Sequence, residues 1–161
     1  DDTQIGRNCV AYTRIDGMDN YDHLYQTDLC GWIGNMGYKK ESCWFANVYT
    51  ADSTQTLRAV GFYATGPESD YEIYVAADFK NAIDLKKEIS IAEGESFAVM
   101  VKINTPGSDY PVAMEYRADD QTANVNLEDG CGYVSVDGYR WSRIEEEYGG
   151  NICLKAYTDN R

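Results

Sequence analysis

At 161 residues, 43% of them hydrophobic, the chain is long enough for one domain with a real core. Its 27 acidic against 14 basic residues leave a net charge of -13, which repels phosphate backbones and anionic lipid and argues against nucleic-acid partners and membrane insertion. Fourteen tyrosines carry most of an aromatic content of 13%, and their apolar rings with polar tips suit half-exposed sheet faces and recognition surfaces.

The opening "DDTQIG" has neither a basic region nor an apolar stretch, so an export signal is expected upstream, in a longer secreted parent. No apolar run reaches bilayer length; "FAVMV" (Phe97 to Val101) is typical of the longest. The acidic stretch "RIDGMDNYDHLYQTD" (Arg14 to Asp28) follows, carrying Asp16, Asp19, Asp22 and Asp28 in one expected loop. Clustered carboxylates of this kind suit Ca²⁺, although acids recurring every three residues do not fit EF-hand spacing. A solvated acidic loop is the alternative.

Two fragments then imitate a papain-type nucleophile, "QTDLCGW" (Gln26 to Trp32) and "SCWFA" (Ser42 to Ala46). A cysteine protease needs a thiolate paired with histidine beside an oxyanion donor. The single histidine, His23, lies just upstream of Cys30, so the cysteines read as packed residues and no catalytic residue is assigned. Within "GWIGNMGY", Trp32 and Tyr38 read as displayed on a glycine-flanked loop, whereas Trp44 in "CWFANVYTA" reads as core.

Strand signals continue along the chain. "TLRAVGFYA" sets Val60 and Phe62 against Leu57, Ala59 and Tyr63; "YEIYVAA" sets Tyr71, Ile73 and Val75 against Glu72 and Tyr74. The charged "DFKNAIDLKKEI" (Asp78 to Ile89) could supply a short helical turn. "ESFAVMVKIN" alternates Phe97, Val99, Val101 and Ile103 against Ala98, Met100 and Lys102. "PVAMEY" aligns Val112, Met114 and Tyr116, and "NICLKAYT" aligns Ile152, Leu154 and Ala156. Turns such as Asp16-Gly17, Glu93-Gly94, Pro106-Gly107 and Gly149-Gly150 punctuate these runs. Short strands with regular turns and no sustained helical period predict an all-β, antiparallel β-sandwich, jelly-roll-like, occupying 1–161 as a single domain.

"SVDGYRW" (Ser135 to Trp141) resembles the Asp-box, S-x-D-x-G-x-x-W, with one spacer lost. In that pattern the Asp caps its own turn, Gly takes positive φ and Trp packs back over the strand. Trp141 therefore reads first as a hairpin staple; with Trp32, Tyr38 and Tyr139 it also forms the set of rings on which a sugar could stack. Cys9, Cys30, Cys43, Cys131 and Cys153 are odd in number, include no CxxC pair and accompany one histidine. That pattern argues against a zinc cluster; mostly free thiols are expected, with pairing of some across strands as the alternative. No nucleophile–base constellation, GxSxG or phosphate-binding glycine loop is present, and 27 acids single out no glycosidase pair.

"DHLYQTDLCGWIGNMGY", "CWFANVYTADSTQTLRAVGFYATGPESDYEIYV", "GESFAVMVKINTPGSDYPVAMEY" and "GYVSVDGYRW…NICLKAYT" together resemble the lectin-like domain appended to papain-like cysteine peptidases and other secreted proteins of anaerobic bacteria. The resemblance runs from about Asp22 to Thr158. It implies a non-catalytic, sandwich-like accessory domain on an extracellular or cell-surface protein. The chain departs from the family pattern between Val75 and Leu85, where "AADFKNAID" runs straight on and an extra Gly-Tyr-rich strand is missing or a segment has been closed up. The leading functional expectation is a carbohydrate-binding-like module that holds its parent on a glycan or cell wall; the alternative is a structural or docking domain for a peptidase.

Overall fold

The computed structural model describes residues 20–76, 83–84, 89–127 and 131–160. Cys9, Asp16 and Asp19 lie outside these residues, as does most of the helical turn expected over Asp78 to Ile89. The described residues form thirteen strands and one helical turn. Every strand pairing among them is antiparallel. None of their helices is long and apolar enough to cross a membrane.

One layer is a six-stranded sheet of order β11-β10-β3-β8-β5-β6. Its strands are β3 (Ser42–Thr50), β5 (Asp70–Ala76), β6 (Ile83–Asp84), β8 (Ser96–Asn104), β10 (Gly132–Ser135) and β11 (Ser142–Arg143). The opposite layer joins a four-stranded and a three-stranded sheet, β1-β13-β4-β7 and β12-β9-β2. These comprise β1 (His23–Tyr25), β2 (Gly34–Met36), β4 (Gln55–Phe62), β7 (Ile89–Ile91), β9 (Val112–Tyr116), β12 (Gly150–Ile152) and β13 (Leu154–Asp159). A bridge from Ala64 to Val112 knits the two smaller sheets together. Phe45, Val99, Val101 and Ile103 from the first layer meet Leu57, Val112, Met114, Ile152, Leu154 and Ala156 from the second in one apolar core. The fold is an antiparallel β-sandwich, built on the period-two patterns of β3, β5, β8, β9 and the C-terminal strands.

Two irregularities shape the second layer. The run 150–159 changes partner at Cys153: Ile152 faces Met114 of β9, whereas Leu154 faces Phe62 of β4. The carbonyls of Ile152 and Leu154 flank this break, and the Asn47 amide reaches across from β3 to both, at 3.4 and 2.9 Å. Tyr49, two residues along the same face, donates its hydroxyl to Leu154 O at 2.7 Å and accepts from the Asn47 amide at 2.9 Å. The second irregularity is a slip in register at Tyr157/Thr158, where Tyr157 faces Ala59 but Thr158 faces Leu57. Arg58 is the extra residue of this bulge, and its guanidinium pairs with Asp159 at 3.2 Å. The bulge corrects the alternation read from "TLRAVGFYA": Leu57 joins Val60 and Phe62 on the core side instead of opposing them.

A single helical turn, α1 (Ile144–Glu147), was not signalled by any sequence period and follows β11 directly. Its fully buried Ile144 packs where a Cβ on Gly132 would lie 2.5 Å from the isoleucine methyl.

The Asn47–Tyr49 bridge is expected to govern stability. Asn47→Leu removes the amide that satisfies buried carbonyls and should cost about 2–3 kcal/mol, against about 1 kcal/mol for Tyr49→Phe. Chemical denaturation of both variants tests the ordering; a smaller loss for Asn47→Leu would show that the carbonyls find other partners.

Candidate functional site

Alternation divides β3 between two environments. Cys43, Phe45, Asn47 and Tyr49 point into the sandwich, which turns Trp44, Ala46 and Val48 to the outer face of the six-stranded sheet. Trp44 is therefore not a core residue, contrary to the sequence expectation. It is half-buried on the outside, and both alternations of "CWFANVYT" are apolar enough to have hidden this. The cross-strand register sets Ser135, Trp44, Lys102 and Glu72 side by side, with Tyr133, Ala46, Met100 and Tyr74 in the next row.

These neighbours interact as a unit. The Trp44 and Tyr74 rings stack at 5.5 Å and 28°. Trp141 meets Trp44 edge-on at 6.4 Å. The Lys102 ammonium stands 5.8 Å from the Trp44 ring centroid and pairs with Glu72 at 3.1 Å. Glu72 also accepts from the Tyr74 hydroxyl. These two donors, Tyr74 first, hold its carboxyl below the usual range. Ala46, Ala76 and Met100 are buried beneath the rings.

The segment 135–141 folds over this surface. The Asp137 carboxylate accepts from the backbone N–H groups of Tyr139 and Arg140, both at 2.9 Å. Those two bonds are the main reason its carboxyl sits well below the ordinary carboxylate range. Ser135 Oγ accepts from Gly138 N–H at 2.9 Å and donates to Asp137 at 3.1 Å. Gly138 has φ +78°, and a Cβ there would sit 2.8 Å from the Trp44 ring. Trp141 donates its indole N–H back to Gly138 O at 3.2 Å. The Asp-box-like reading of this turn holds in each part: capping Asp, positive-φ Gly and a Trp folded back over the sheet. Beside Gly138, Tyr139 projects with 89% of its surface exposed.

The other residues singled out by sequence are placed elsewhere. Trp32 is partly buried, its ring 5.6 Å from Tyr63 and its indole N–H donated to Asn35 at 2.7 Å. Tyr38 packs against the core and edge-on to Tyr148 at 6.3 Å; burial and then Glu147 raise its hydroxyl pKa. Neither ring is displayed as expected, because the loop around β2 folds onto the sandwich. Asp22 accepts from Asn160 N–H at 3.0 Å. Asp28, on the contrary, is buried and salt-bridged to Lys155, and its carboxyl is raised by burial against the opposing pull of the lysine. Its neighbours include Glu115, which is 1% exposed and accepts from Asn151 at 2.9 Å and from the Cys30 backbone N–H. Asp22 and Asp28 thus serve separate contacts. Among the described residues no group of three or more His, Cys, Asp or Glu is arranged to hold a metal ion.

Cys30, Cys43 and Cys153 are free thiols. Burial pushes the Cys43 thiol up to about 12 and raises Cys153 as well, which suppresses thiolate chemistry. His23 bonds Asn160 at 2.8 Å through Nε2 and lies 3.6 Å from Asp52 through Nδ1. Neither of these His23 contacts is to a thiol.

The family model described as "Lectin like domain" matches residues 24–89 and 81–158. The chain belongs to the lectin-like domain family. Its two matched pieces overlap at 81–89. The crystal structure of the cysteine protease and lectin-like domains of Cwp84, a surface layer associated protein of Clostridium difficile, shares the fold with a TM-score of 0.55 at 16% identity, over 75% of this chain. The lectin-like chain spans 33% of the length of that Cwp84 chain. A comparison with curated proteins matched none.

Gly138→Val in this lectin-like domain should cost about 1–3 kcal/mol, since it meets both the positive φ and the Trp44 ring. An unchanged melting temperature would contradict the geometry. Asp137→Ala should accelerate hydrogen exchange at Tyr139 and Arg140 while leaving β3 and β8 protected. Because the folded Asp137 pKa is depressed, its contribution is complete above about pH 4, the unfolded value, and declines as pH falls through the folded one. Amide exchange followed from neutral to acid pH checks that window.

Proposed function

We propose that this lectin-like domain is a carbohydrate-recognition accessory module, and that the hairpin 135–141 with the outer aromatic face is its contact surface. The observation that carries the reading is Tyr139. A ring left 89% exposed gains little from folding, yet its backbone is held by Asp137, Ser135 and the Gly138 turn. A backbone already held in place lowers the ordering cost of binding, and the rings of Tyr and Trp stack on the apolar faces of sugars. Trp141, Trp44 and Tyr74 extend the same surface, with the Lys102–Glu72 ion pair set against the Trp44 ring.

The family supports an accessory role, and the surface-layer association of Cwp84 supports an extracellular or cell-surface location. The presence of protease and lectin-like domains in the Cwp84 structure also favours a second reading, in which this domain docks or spaces a peptidase and takes no sugar.

Each stacked ring should contribute on the order of 1 kcal/mol, and short oligosaccharides should bind with dissociation constants of about 0.1–1 mM. Glycan-array screening followed by titration calorimetry on Tyr139→Ala and Trp141→Ala tests this. Loss of binding in folded Tyr139→Ala protein supports the hairpin site. Binding that survives both substitutions but disappears in Trp32→Ala would move the site to the loop before β2. Absence of any glycan ligand would favour docking.

A further inference from the structure

Resting on the glycan reading, we infer that the hairpin face selects uncharged glycans and excludes carboxylated, sulfated or phosphorylated polymers. The argument concerns the cations available to an anionic sugar. Lys102 is the basic side chain set among the central rings, and Glu72 lies directly across from it on β5, 3.1 Å from its ammonium. Arg140, at the tip of the hairpin, is paired with Asp137 at 3.2 Å. Arg143, opposite Tyr133 on β11, is also engaged by an interaction of its own.

Lys102 and Arg140 thus each face an internal carboxylate, the first half-exposed beside the rings and the second solvent-exposed at the tip. At Lys102 and Arg140 an incoming carboxylate would compete with an internal carboxylate of equal charge, which lowers the electrostatic gain of binding it. The next row, Ser42, Asn104 and Asp70, adds neutral hydrogen-bonding groups and a further acid; Ser42 donates to Asn104 at 2.8 Å. At longer range the net charge of -13 repels polyanions, an effect screened by salt. Rings, amide and hydroxyl groups remain to hold a ligand, and these suit the apolar faces and hydroxyl groups of neutral sugars.

The test is affinity electrophoresis at low and high ionic strength in gels containing glucomannan or xylan as neutral polymers, and polygalacturonate or alginate as anionic ones. The intact domain should be retarded by a neutral polymer, nearly independently of salt, and should run freely through the anionic gels. Glu72→Gln releases the Lys102 charge and should create retardation by polygalacturonate of about two- to five-fold in affinity at low salt, erased at high salt. Lys102→Gln on the Glu72→Gln background should abolish that gain. Salt-sensitive binding of the unsubstituted domain to an anionic polymer would overturn the selectivity while leaving the glycan reading intact. The same holds if Glu72→Gln shows no gain while neutral binding persists. Failure to bind any of the four polymers, followed by failure on a glycan array, would overturn the glycan reading and this inference with it.

Discussion

The sandwich depends on one polar crossing through its apolar core. Two β-layers can slide over each other while still burying hydrophobic surface, because such burial is non-directional. The Asn47 amide and Tyr49 hydroxyl remove that freedom by meeting the carbonyls on both sides of the Cys153 break. They engage the second layer where its pairing passes from β9 to β4, a place where backbone acceptors would otherwise be left buried and unmet. With that register set, the inward residues of β3 are fixed, and so, by alternation, are Trp44 and its outward companions.

The outer surface is held by a different kind of restraint. Its rings are fixed by one another and by Gly138, whose missing side chain allows the turn to settle against Trp44. Charge pairing at Lys102 and Glu72 occurs at the boundary with solvent, where each ion keeps part of its hydration and the pair orients the groups more than it stabilises them. The buried Asp28–Lys155 pair is in a contrasting setting: burial opposes ionisation there, and the lysine offsets that cost. It ties the loop after β1 to β13, and the loop leaves Cys30 exposed while laying Trp32 partly against the sandwich.

The sequence disclosed the sandwich because β5, β8 and β9 alternate cleanly, with one face apolar and the other mixed. It disclosed the hairpin because Ser135, Asp137 and Gly138 act within seven consecutive residues and need no tertiary information. It did not disclose the bulge at Arg58, since an inserted residue resembles ordinary alternation until its partner strand is known. Trp44 was misplaced for a related reason: Cys43, Phe45 and Tyr49 compete with Trp44, Ala46 and Val48 for the inward side, and the decision comes from β8 and the other layer. Trp32 and Tyr38 were drawn outward by their glycine neighbours, although the contacts that pull them in, Tyr63 and Tyr148, are distant in sequence. Tyr74 was legible, since its alternation with Ile73 and Val75 set it opposite the core.

The brace of the 135–141 turn is made from backbone N–H groups, the Ser135 and Asp137 side chains and one glycine. Val136 and Tyr139 contribute little to it beyond their main chains, and Arg140 adds one solvent-exposed side-chain pair with Asp137. The tip is therefore a display position whose side chains can be exchanged without refashioning the scaffold beneath. New ligand preferences could be acquired there by substitution at three places, in the way that a fixed handle accepts different blades.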